Sequence, residues 1–311
     1  DLCQSPLLCR NMDASCLLQQ QEKRVEAEAL VNRYQFLIDR YQTFLGFAYF
    51  SDNTPPRLDA TFPEYSLLIT ASRLQSLAWA LSNAPEKNID REIQQLRHWL
   101  AQDHSLISKM IANAMLAEKL QLTALLVQQG KMPTLRLAPL TTAEKSFQAP
   151  LQKEFAMMAH FFIDEQYRDG NEAASWIEEI QFRAGLKKHI SVNRMLPLYQ
   201  HYAQLAEQPV DAIEADQFHP DPASMSEAIR NPIGNVLLET ASPDFKQYLL
   251  RLVHLDARMA LLKQLEKTET DNPVNNPWTP GKEDTLTRRD KQLCFRHAPD
   301  HDRYNSCLPL L

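Results

Sequence analysis

The chain has 311 residues, of which 6 are glycine, and a formal net charge of −6 at pH 7. So few glycines exclude the glycine-rich loops that hold phosphates and the tight turn that presents the nucleophilic serine of many hydrolases. The acidic balance, without a basic stripe among aromatic residues, argues against nucleic acid as a partner. The 19 prolines separate segments of helical period, so we predict an all-α protein. It would be an irregular helical bundle or a short α-solenoid of antiparallel helix pairs, with a disulfide-stapled, mostly irregular C-terminal tail.

The first helical part is predicted to span residues 1–130. Residues 14–47 carry a broken apolar stripe with charges opposite, which predicts one long helix. Three prolines keep the loop at residues 51–65 extended. This loop is either a rigid strap between helices or a binding loop. If it binds, we expect the groove to be formed by Tyr49, Phe50, Arg57, Phe62 and Tyr65.

The centre of this first part is a helical hairpin at residues 88–129. Apolar side chains recur there at spacings of three and four, and Asp103 stands where a tight turn would reverse the chain. We expect Glu92 to add negative charge to the first helical turn. Glu118 projects onto the apolar side, and we expect it to reach solvent or a basic partner from the edge of the stripe.

A second helical part is predicted over residues 151–267, beyond a proline-interrupted boundary, either separate from the first part or packed with it as one domain. In this part His160 and Asp164 lie one helical turn apart, next to Glu165. Such a group could serve acid–base or metal chemistry. A partly paired surface cluster is the commoner role of these residue types.

All five cysteines lie near the two ends of the chain, and none has the paired spacing of a zinc ribbon. This distribution is typical of disulfides in an oxidising compartment, with five reduced thiols in a cytosolic protein as the alternative. A Cys294–Cys307 disulfide would stabilise the fold by about 3 kcal/mol in the chain-entropy model. Spacing does not decide whether a second disulfide joins two of Cys3, Cys9 and Cys16 or links one of them to the tail. Either way one thiol is left over.

Residues 268–311 are predicted to form the irregular tail, with a small β-hairpin from residues 285–287 and 292–296. The tail also carries side chains of the types that bind divalent cations, namely His297, Asp300 and His301. The other interpretation of these three residues is a surface loop closed by the disulfide.

Four stretches between about residues 45 and 265 carry a resemblance. They are PPRLDATFPEY, RLQSLAWAL, HSLISKMIANAML and NPIGNVLLETASPDFKQYLLRLVHLDARMALLKQL. These stretches resemble a family of helical, exported or membrane-anchored envelope proteins of proteobacteria, to which no activity is assigned. The family often has an Asn-Pro-aromatic-Thr-Gly motif, whereas here Pro280 separates Thr279 from Gly281. The resemblance implies an extracytoplasmic location and a helical fold and transfers no functional residue.

Amphipathic helices and a rigid aromatic loop, without catalytic signatures, predict a non-enzymatic scaffold of the cell envelope. We expect it to be periplasmic or otherwise extracytoplasmic, to bind another envelope protein and to need no cofactor. The chain starts at Asp1 rather than Met, so we expect a signal peptide or membrane anchor upstream. One alternative is a hydrolase of unrecognised type that uses His160, Asp164 and Glu165. The other is a carrier of lipid or another small molecule, which would need an enclosed apolar cavity between helices.

Overall fold

A computed structural model of the chain confirms the all-α prediction. The structure describes residues 2–83, 85–163, 185–241, 243–265, 273–299 and 306–311. In chain order its helices are α1 (Ala14–Glu22), α2 (Arg24–Arg33), α3 (Gln35–Leu45), α4 (Tyr65–Leu81), α5 (Glu86–Gln102), α6 (Leu106–Gln128), α7 (Thr142–Lys145), α8 (Gln148–Ile163), α9 (Lys188–Leu205), α10 (Val210–Ala215), α11 (Met225–Arg230), α12 (Pro232–Ala241) and α13 (Lys246–Leu262), with a short 3-10 helix at Leu2–Gln4.

The prediction of one long helix over residues 14–47 is wrong. The chain breaks at Lys23 and again at Tyr34, which divides the segment into α1, α2 and α3. All three short helices pack against α4. A straight helix of this length would extend roughly 50 Å and leave the core behind, because each residue adds 1.5 Å. The two breaks keep the apolar side of each segment on α4.

The predicted helical hairpin is confirmed as α5 and α6, which pack against each other. Asp103 lies in the turn between them, where its Oδ1 accepts a hydrogen bond from the Ser105 amide at 2.9 Å. Gly130 ends the segment with a φ of 68°, a left-handed conformation that suits glycine. Among the described helices, α6 is long and apolar enough to cross a bilayer, but 67% of that stretch is buried inside the protein. It is therefore well explained as the central core helix.

The two predicted helical parts share one apolar core. Helix α6 contacts α4, α5, α8 and α13, so elements from both parts meet on it. Helices α8 and α9 pack against each other beside it, and the buried apolar residues of both parts belong to one cluster. The division of the chain into separately folding parts stays a prediction.

The tail contains short strands in the part that the structure describes. They are β1 (Val274–Asn275), β2 (Glu283–Asp284), β3 (Leu286–Arg289), β4 (Gln292–Phe295) and β5 (Leu308–Pro309). Strands β1 and β2 form an antiparallel pair, and β3, β4 and β5 form a three-stranded antiparallel sheet in that order. The predicted hairpin is confirmed as β3 and β4. Asp290 and Lys291 make its turn with φ values of 50° and 57°, as a two-residue hairpin turn requires.

Two disulfides close the ends of the chain. The predicted Cys294–Cys307 disulfide joins β4 to the residue before β5. The second disulfide joins Cys9 to Cys16, so Cys3 keeps a thiol. Two disulfides are typical of a protein that folds in an oxidising, extracytoplasmic environment.

Candidate functional site

An aromatic cleft opens beside the loop that was predicted to bind or to act as a strap. It has a volume of about 490 Å³. We define the aromatic cleft by its five large apolar lining residues, which are Phe44, Phe50, Phe62, Tyr65 and Leu68. Its polar lining comes mainly from loop residues, including Asp52, Thr61 and Glu64. A concave apolar surface with a few placed polar groups is the usual form of a binding site.

The structure brings together three of the five residues predicted for this groove. Phe50, Phe62 and Tyr65 all line the cleft. Tyr49 is next to Phe50 in the chain and 60% exposed, but it is not part of the lining. The Arg57 guanidinium instead pairs with the Asp59 carboxylate, with Nη2 2.9 Å from Oδ2, at the exposed surface of the loop.

Two aromatic rings of the cleft lining, Phe44 and Phe50, pack against each other and against Trp99. The ring centroids of Phe44 and Phe50 lie 5.4 Å apart in an edge-to-face arrangement, and the Phe50 centroid lies 4.5 Å from that of Trp99. The indole Nε1 of Trp99 donates a hydrogen bond to Asp103 Oδ2 at 2.9 Å. The loop is thus packed on the turn of the central hairpin, and edge-to-face aromatic pairs favour this one geometry.

Hydrogen bonds to Asp52 hold the loop in place. Its Oδ2 accepts a hydrogen bond from the Tyr65 hydroxyl at 2.9 Å, and its Oδ1 accepts one from the Thr54 amide at 2.9 Å. Lys153 on α8 donates from Nζ to the Asp52 backbone carbonyl at 2.6 Å. Burial alone would raise the pKa of the Asp52 carboxyl, but these hydrogen bonds and the Lys153 charge hold that pKa below its ordinary value.

Burial and the neighbouring Asp52 charge also raise the pKa of Tyr65. Its hydroxyl therefore stays protonated and keeps donating to Asp52. Tyr65 is 9% exposed. Its hydrogen bond to Asp52 holds the loop in place, and its side chain lines the cleft.

The residues predicted for hydrolytic chemistry do not form a described site. His160 is exposed near the end of α8. Asp164 and Glu165 lie outside the described residues.

The residues predicted for a cation are only partly described. The His297 ring pairs through Nδ1 with Asp284 Oδ1 at 2.7 Å, in the β1–β2 region. Asp300 and His301 lie outside the described residues. Across the described ranges, no three His, Cys, Asp or Glu side chains gather as ligands for a metal ion.

A cluster of buried charges was missed by sequence reasoning. Glu92 is not in the first turn of its helix, as predicted, because α5 begins at Glu86 and places Glu92 in the core with 2% exposure. Its Oε1 lies 3.1 Å from Lys119 Nζ and accepts a hydrogen bond from the Tyr41 hydroxyl at 2.6 Å. Lys119 also donates to the Ser72 carbonyl at 2.8 Å. The cluster joins α3, α4, α5 and α6 at one point.

The sequence does contain a signal for this cluster. Glu92 falls three residues after Ile89 and four before Leu96, on the buried stripe of α5. Lys119 falls four residues after Met115 and three before Leu122, on the buried stripe of α6. Opposite charges at equivalent places on the facing stripes of a helical hairpin therefore indicate a buried pair.

Glu118, by contrast, lies where the sequence predicts it. Its carboxylate pairs at the edge of the core with the Arg73 guanidinium, whose Nε is 3.1 Å from Oε1. The side chain of Glu118 is 16% exposed.

An apolar groove of about 270 Å³ lies between α8, α9 and α12. Its lining is almost entirely apolar and consists of Leu58, Met158, Phe161, Phe162, Met195, Leu198, Tyr199, Leu237, Leu238 and Pro243. The groove is open at the surface, where Phe161 is 38% exposed.

Comparisons of this chain with models of protein families, with curated proteins and with solved structures found no match. The aromatic cleft and the two disulfides are therefore the observations from which we infer a function.

Proposed function

We propose that this protein is a non-enzymatic, periplasmic scaffold that binds another envelope protein through the aromatic cleft. The observation that carries the proposal is the cleft itself. Aromatic side chains line it. The packing of Phe50 on Trp99 and the hydrogen bonds to Asp52 fix the loop that forms it. A preformed site loses little conformational entropy on binding, which favours affinity for a partner.

The surroundings of the cleft support a protein as the partner. Phe47 and Tyr49 precede the cleft loop and are 62% and 60% exposed. Exposed large aromatic side chains are typical of protein–protein interfaces. A flexible apolar segment of the partner that enters the cleft would cover the rings of Phe50 and Phe62.

The charge of the cleft narrows the chemistry of that segment. Glu64 lines the cleft at an exposed position, whereas the buried Asp52 carboxylate is already paired with Lys153, and the described lining contains no Lys or Arg. We therefore propose that the bound segment carries an aromatic or aliphatic anchor beside a Lys or Arg. Because Glu64 is exposed, its attraction to such a residue should weaken as salt rises.

The test is affinity capture from an envelope extract with the wild type and three variants as baits. Phe62→Ala removes a lining ring, and Thr61→Arg places a bulky cation at an exposed lining position without removing core contacts. Phe36→Ala is the control, because Phe36 is a 59% exposed ring on α3 that lies outside the lining. We expect the wild type and the control to retain the same partner and both cleft variants to lose it.

Two outcomes would reject the cleft as the binding site. One is retention of the same partner by all four proteins. The other is capture of no partner by the wild type under conditions in which a known envelope complex is recovered in parallel. Circular dichroism of Phe62→Ala and Thr61→Arg establishes that both variants are folded before capture.

Carriage of a small apolar molecule is a second candidate function. The apolar groove between α8, α9 and α12 favours it, because a lining of this kind excludes polar ligands. The groove is open, whereas the expectation from sequence was an enclosed cavity. An environment-sensitive apolar dye should bind to the wild type, and Leu198→Glu should abolish that binding. Equal fluorescence with both proteins would exclude carriage at this groove.

A further inference from the structure

The three N-terminal cysteines lie around one opening. A cleft of about 490 Å³ at the start of the chain is lined by Cys3, Cys9 and Cys16. We call it the N-terminal cleft. Cys9 and Cys16 form a disulfide, while Cys3 keeps a thiol. A thiol and a disulfide that line one open cleft are the two reactants of disulfide exchange.

The two sulfurs of the disulfide differ in access. Cys16 is 5% exposed and belongs to the apolar core, whereas Cys9 is half-buried. Cys3 is exposed, and its Sγ lies 3.4 Å from the Thr70 hydroxyl on α4. That hydroxyl already donates its hydrogen to the Ser66 carbonyl at 2.8 Å, so it accepts the Cys3 thiol hydrogen. An attacking thiolate in this cleft therefore reaches the Cys9 sulfur more readily than the Cys16 sulfur.

The position of Cys16 at the start of a helix favours its departure as a thiolate, whereas its burial in the apolar core opposes it. Cys16 lies in the first turn of α1, a nine-residue helix that Asp13 caps by accepting the Cys16 amide hydrogen at 2.8 Å. The partial positive charge at a helix N-terminus stabilises a thiolate there. The Asp13 carboxylate works against this effect and the Arg10 guanidinium works with it, and both residues line the same cleft.

We propose that the N-terminal cleft is a thiol–disulfide exchange site whose ligands are thiols. In the internal reaction, the Cys3 thiolate attacks Cys9 Sγ. A Cys3–Cys9 bond forms, the Cys9–Cys16 bond breaks, and its electron pair leaves on Cys16, which then takes up a proton. The number of disulfides does not change, so no oxidant or reductant is consumed. A thiolate of a small molecule or of another protein that attacks Cys9 would release Cys16 in the same way and form a mixed disulfide.

The sequence provides a direct assay for the internal reaction. Arg10 separates Cys9 from Cys16, so trypsin divides the three cysteines between two peptides. One peptide ends at Arg10 and contains Cys3 and Cys9, and the other spans residues 11–23 and contains Cys16. The oxidised wild-type protein is incubated without reductant at about pH 8, where a useful fraction of thiol is ionised. It is then alkylated and digested.

We expect about one alkyl label per chain, divided between Cys3 and Cys16. Chains labelled on Cys3 should yield the two peptides linked by a disulfide. Chains labelled on Cys16 should yield separate peptides, with an internal disulfide in the one that ends at Arg10. The control is Cys3→Ser, a change at an exposed position, in which Cys16 should remain unlabelled. Label confined to Cys3 in the wild type, or equal labelling of Cys16 in Cys3→Ser, would overturn the internal reaction.

The reaction with an external thiol has its own control within the chain. Cys294 and Cys307 are 0% and 4% exposed, so their disulfide is far less accessible than Cys9. Reduced glutathione should open the Cys9–Cys16 disulfide at least about tenfold faster than the Cys294–Cys307 disulfide, with the mixed disulfide on Cys9. Equal rates for the two disulfides, or a mixed disulfide found only on Cys16, would contradict the proposed site.

Discussion

Lys119 and Glu92 form an ion pair that is enclosed by four helices, with Nζ 3.1 Å from Oε1 and exposed fractions of 0% and 2% for the two side chains. Burial raises the pKa of the Glu92 carboxyl, and the Lys119 charge opposes that rise. The Lys119 ammonium also lies 5.2 Å from the centre of the Trp79 ring. A charge removed from water in this way strongly destabilises the fold when its partner is lost.

We predict that Lys119→Met lowers the free energy of unfolding by about 3–5 kcal/mol, because it leaves the Glu92 carboxylate buried beside Met. The double variant Lys119→Met/Glu92→Leu should recover much of that loss, since it removes both charges. Urea unfolding measures all three proteins. Glu26→Gln is the control, because Glu26 makes an exposed pair with Lys23 at 3.8 Å. A loss below about 1 kcal/mol for Lys119→Met would mean that water reaches the cluster.

The helical hairpin could be predicted from either helix alone, whereas its buried charges become visible only when the facing stripes of the two helices are compared. The residues Ile89, Ile93, Leu96 and Leu100 repeat at helical spacing, and all four are fully buried. Periodicity places Glu92 on the buried stripe of α5, but a charged residue taken alone is ordinarily assigned to solvent, so its burial was not predicted. Its burial depends on where α6 brings Lys119, which a single helix does not specify.

The breaks in the N-terminal helix illustrate the same limit. Neither Lys23 nor Tyr34 is a glycine or a proline, so no local signal ends a helix there. Both breaks are set by packing against α4, which is a tertiary contact that the local sequence does not specify.

The same limit explains why only part of the aromatic cleft was predicted. Phe50, Phe62 and Tyr65 stand close together among prolines, so a local pattern was enough to find them. Phe44 and Leu68 come from the flanking helices, and Trp99 comes from the central hairpin. Their contribution follows from packing that the loop sequence does not encode.

A second prediction concerns the boundary between the two helical parts. Arg97 on α5 binds Glu144 with two parallel hydrogen bonds, from Nε to Oε1 at 2.6 Å and from Nη2 to Oε2 at 2.9 Å. It also donates to the carbonyls of Ala138 and Pro139 at 2.8 and 3.0 Å. A lysine keeps the charge but lacks the planar guanidinium that makes two parallel hydrogen bonds. Arg97→Lys should therefore lower the free energy of unfolding by about 2–4 kcal/mol.

Thermal and urea unfolding of Arg97→Lys would check this value. The matched control is Arg57→Lys, because Arg57 makes a comparable fork with Asp59 at the exposed surface. Its effect should stay within about 0.5 kcal/mol. If both substitutions lower the free energy of unfolding equally, burial of the Arg97 guanidinium does not stabilise the boundary between the two helical parts.

The third prediction is an acid-dependent loss of the Asp52 anchor. The pKa of the folded Asp52 carboxyl lies below its ordinary value, so the folded state favours the carboxylate. Its stabilisation is therefore complete above the range in which an unfolded aspartate titrates, about pH 4, and is lost as the pH falls through the lower folded value.

Asp52→Asn should thus lower the free energy of unfolding by about 1.5–3 kcal/mol near neutral pH, and the difference from wild type should shrink below about pH 4. Unfolding curves of both proteins across this range measure the change. Asp59→Asn, on the exposed side of the same loop, is the control. A difference that grows towards acid would reverse the sign assigned to Asp52.

The fourth prediction concerns Lys109, which lies under the hairpin turn with 1% exposure. Its Nζ donates to the carbonyls of Leu100 and Glu144 at 2.7 and 2.9 Å. Burial lowers the pKa of this ammonium to about 8, although the charges of Asp103 and Glu144 work in the opposite direction. The folded protein therefore releases this proton at a lower pH than the unfolded chain does.

Between about pH 8 and pH 10, the unfolded chain consequently binds more protons at Lys109 than the folded protein does, and the contribution of Lys109 to stability rises with pH. Lys109→Met removes this gain and leaves two carbonyls without a donor. The stability advantage of wild type over Lys109→Met should therefore grow by about 1–3 kcal/mol across that range. Urea unfolding at three pH values measures it, and ionisations shared by both proteins cancel in the difference. An advantage that stays constant or falls with rising pH would show that burial does not suppress the charge on Lys109.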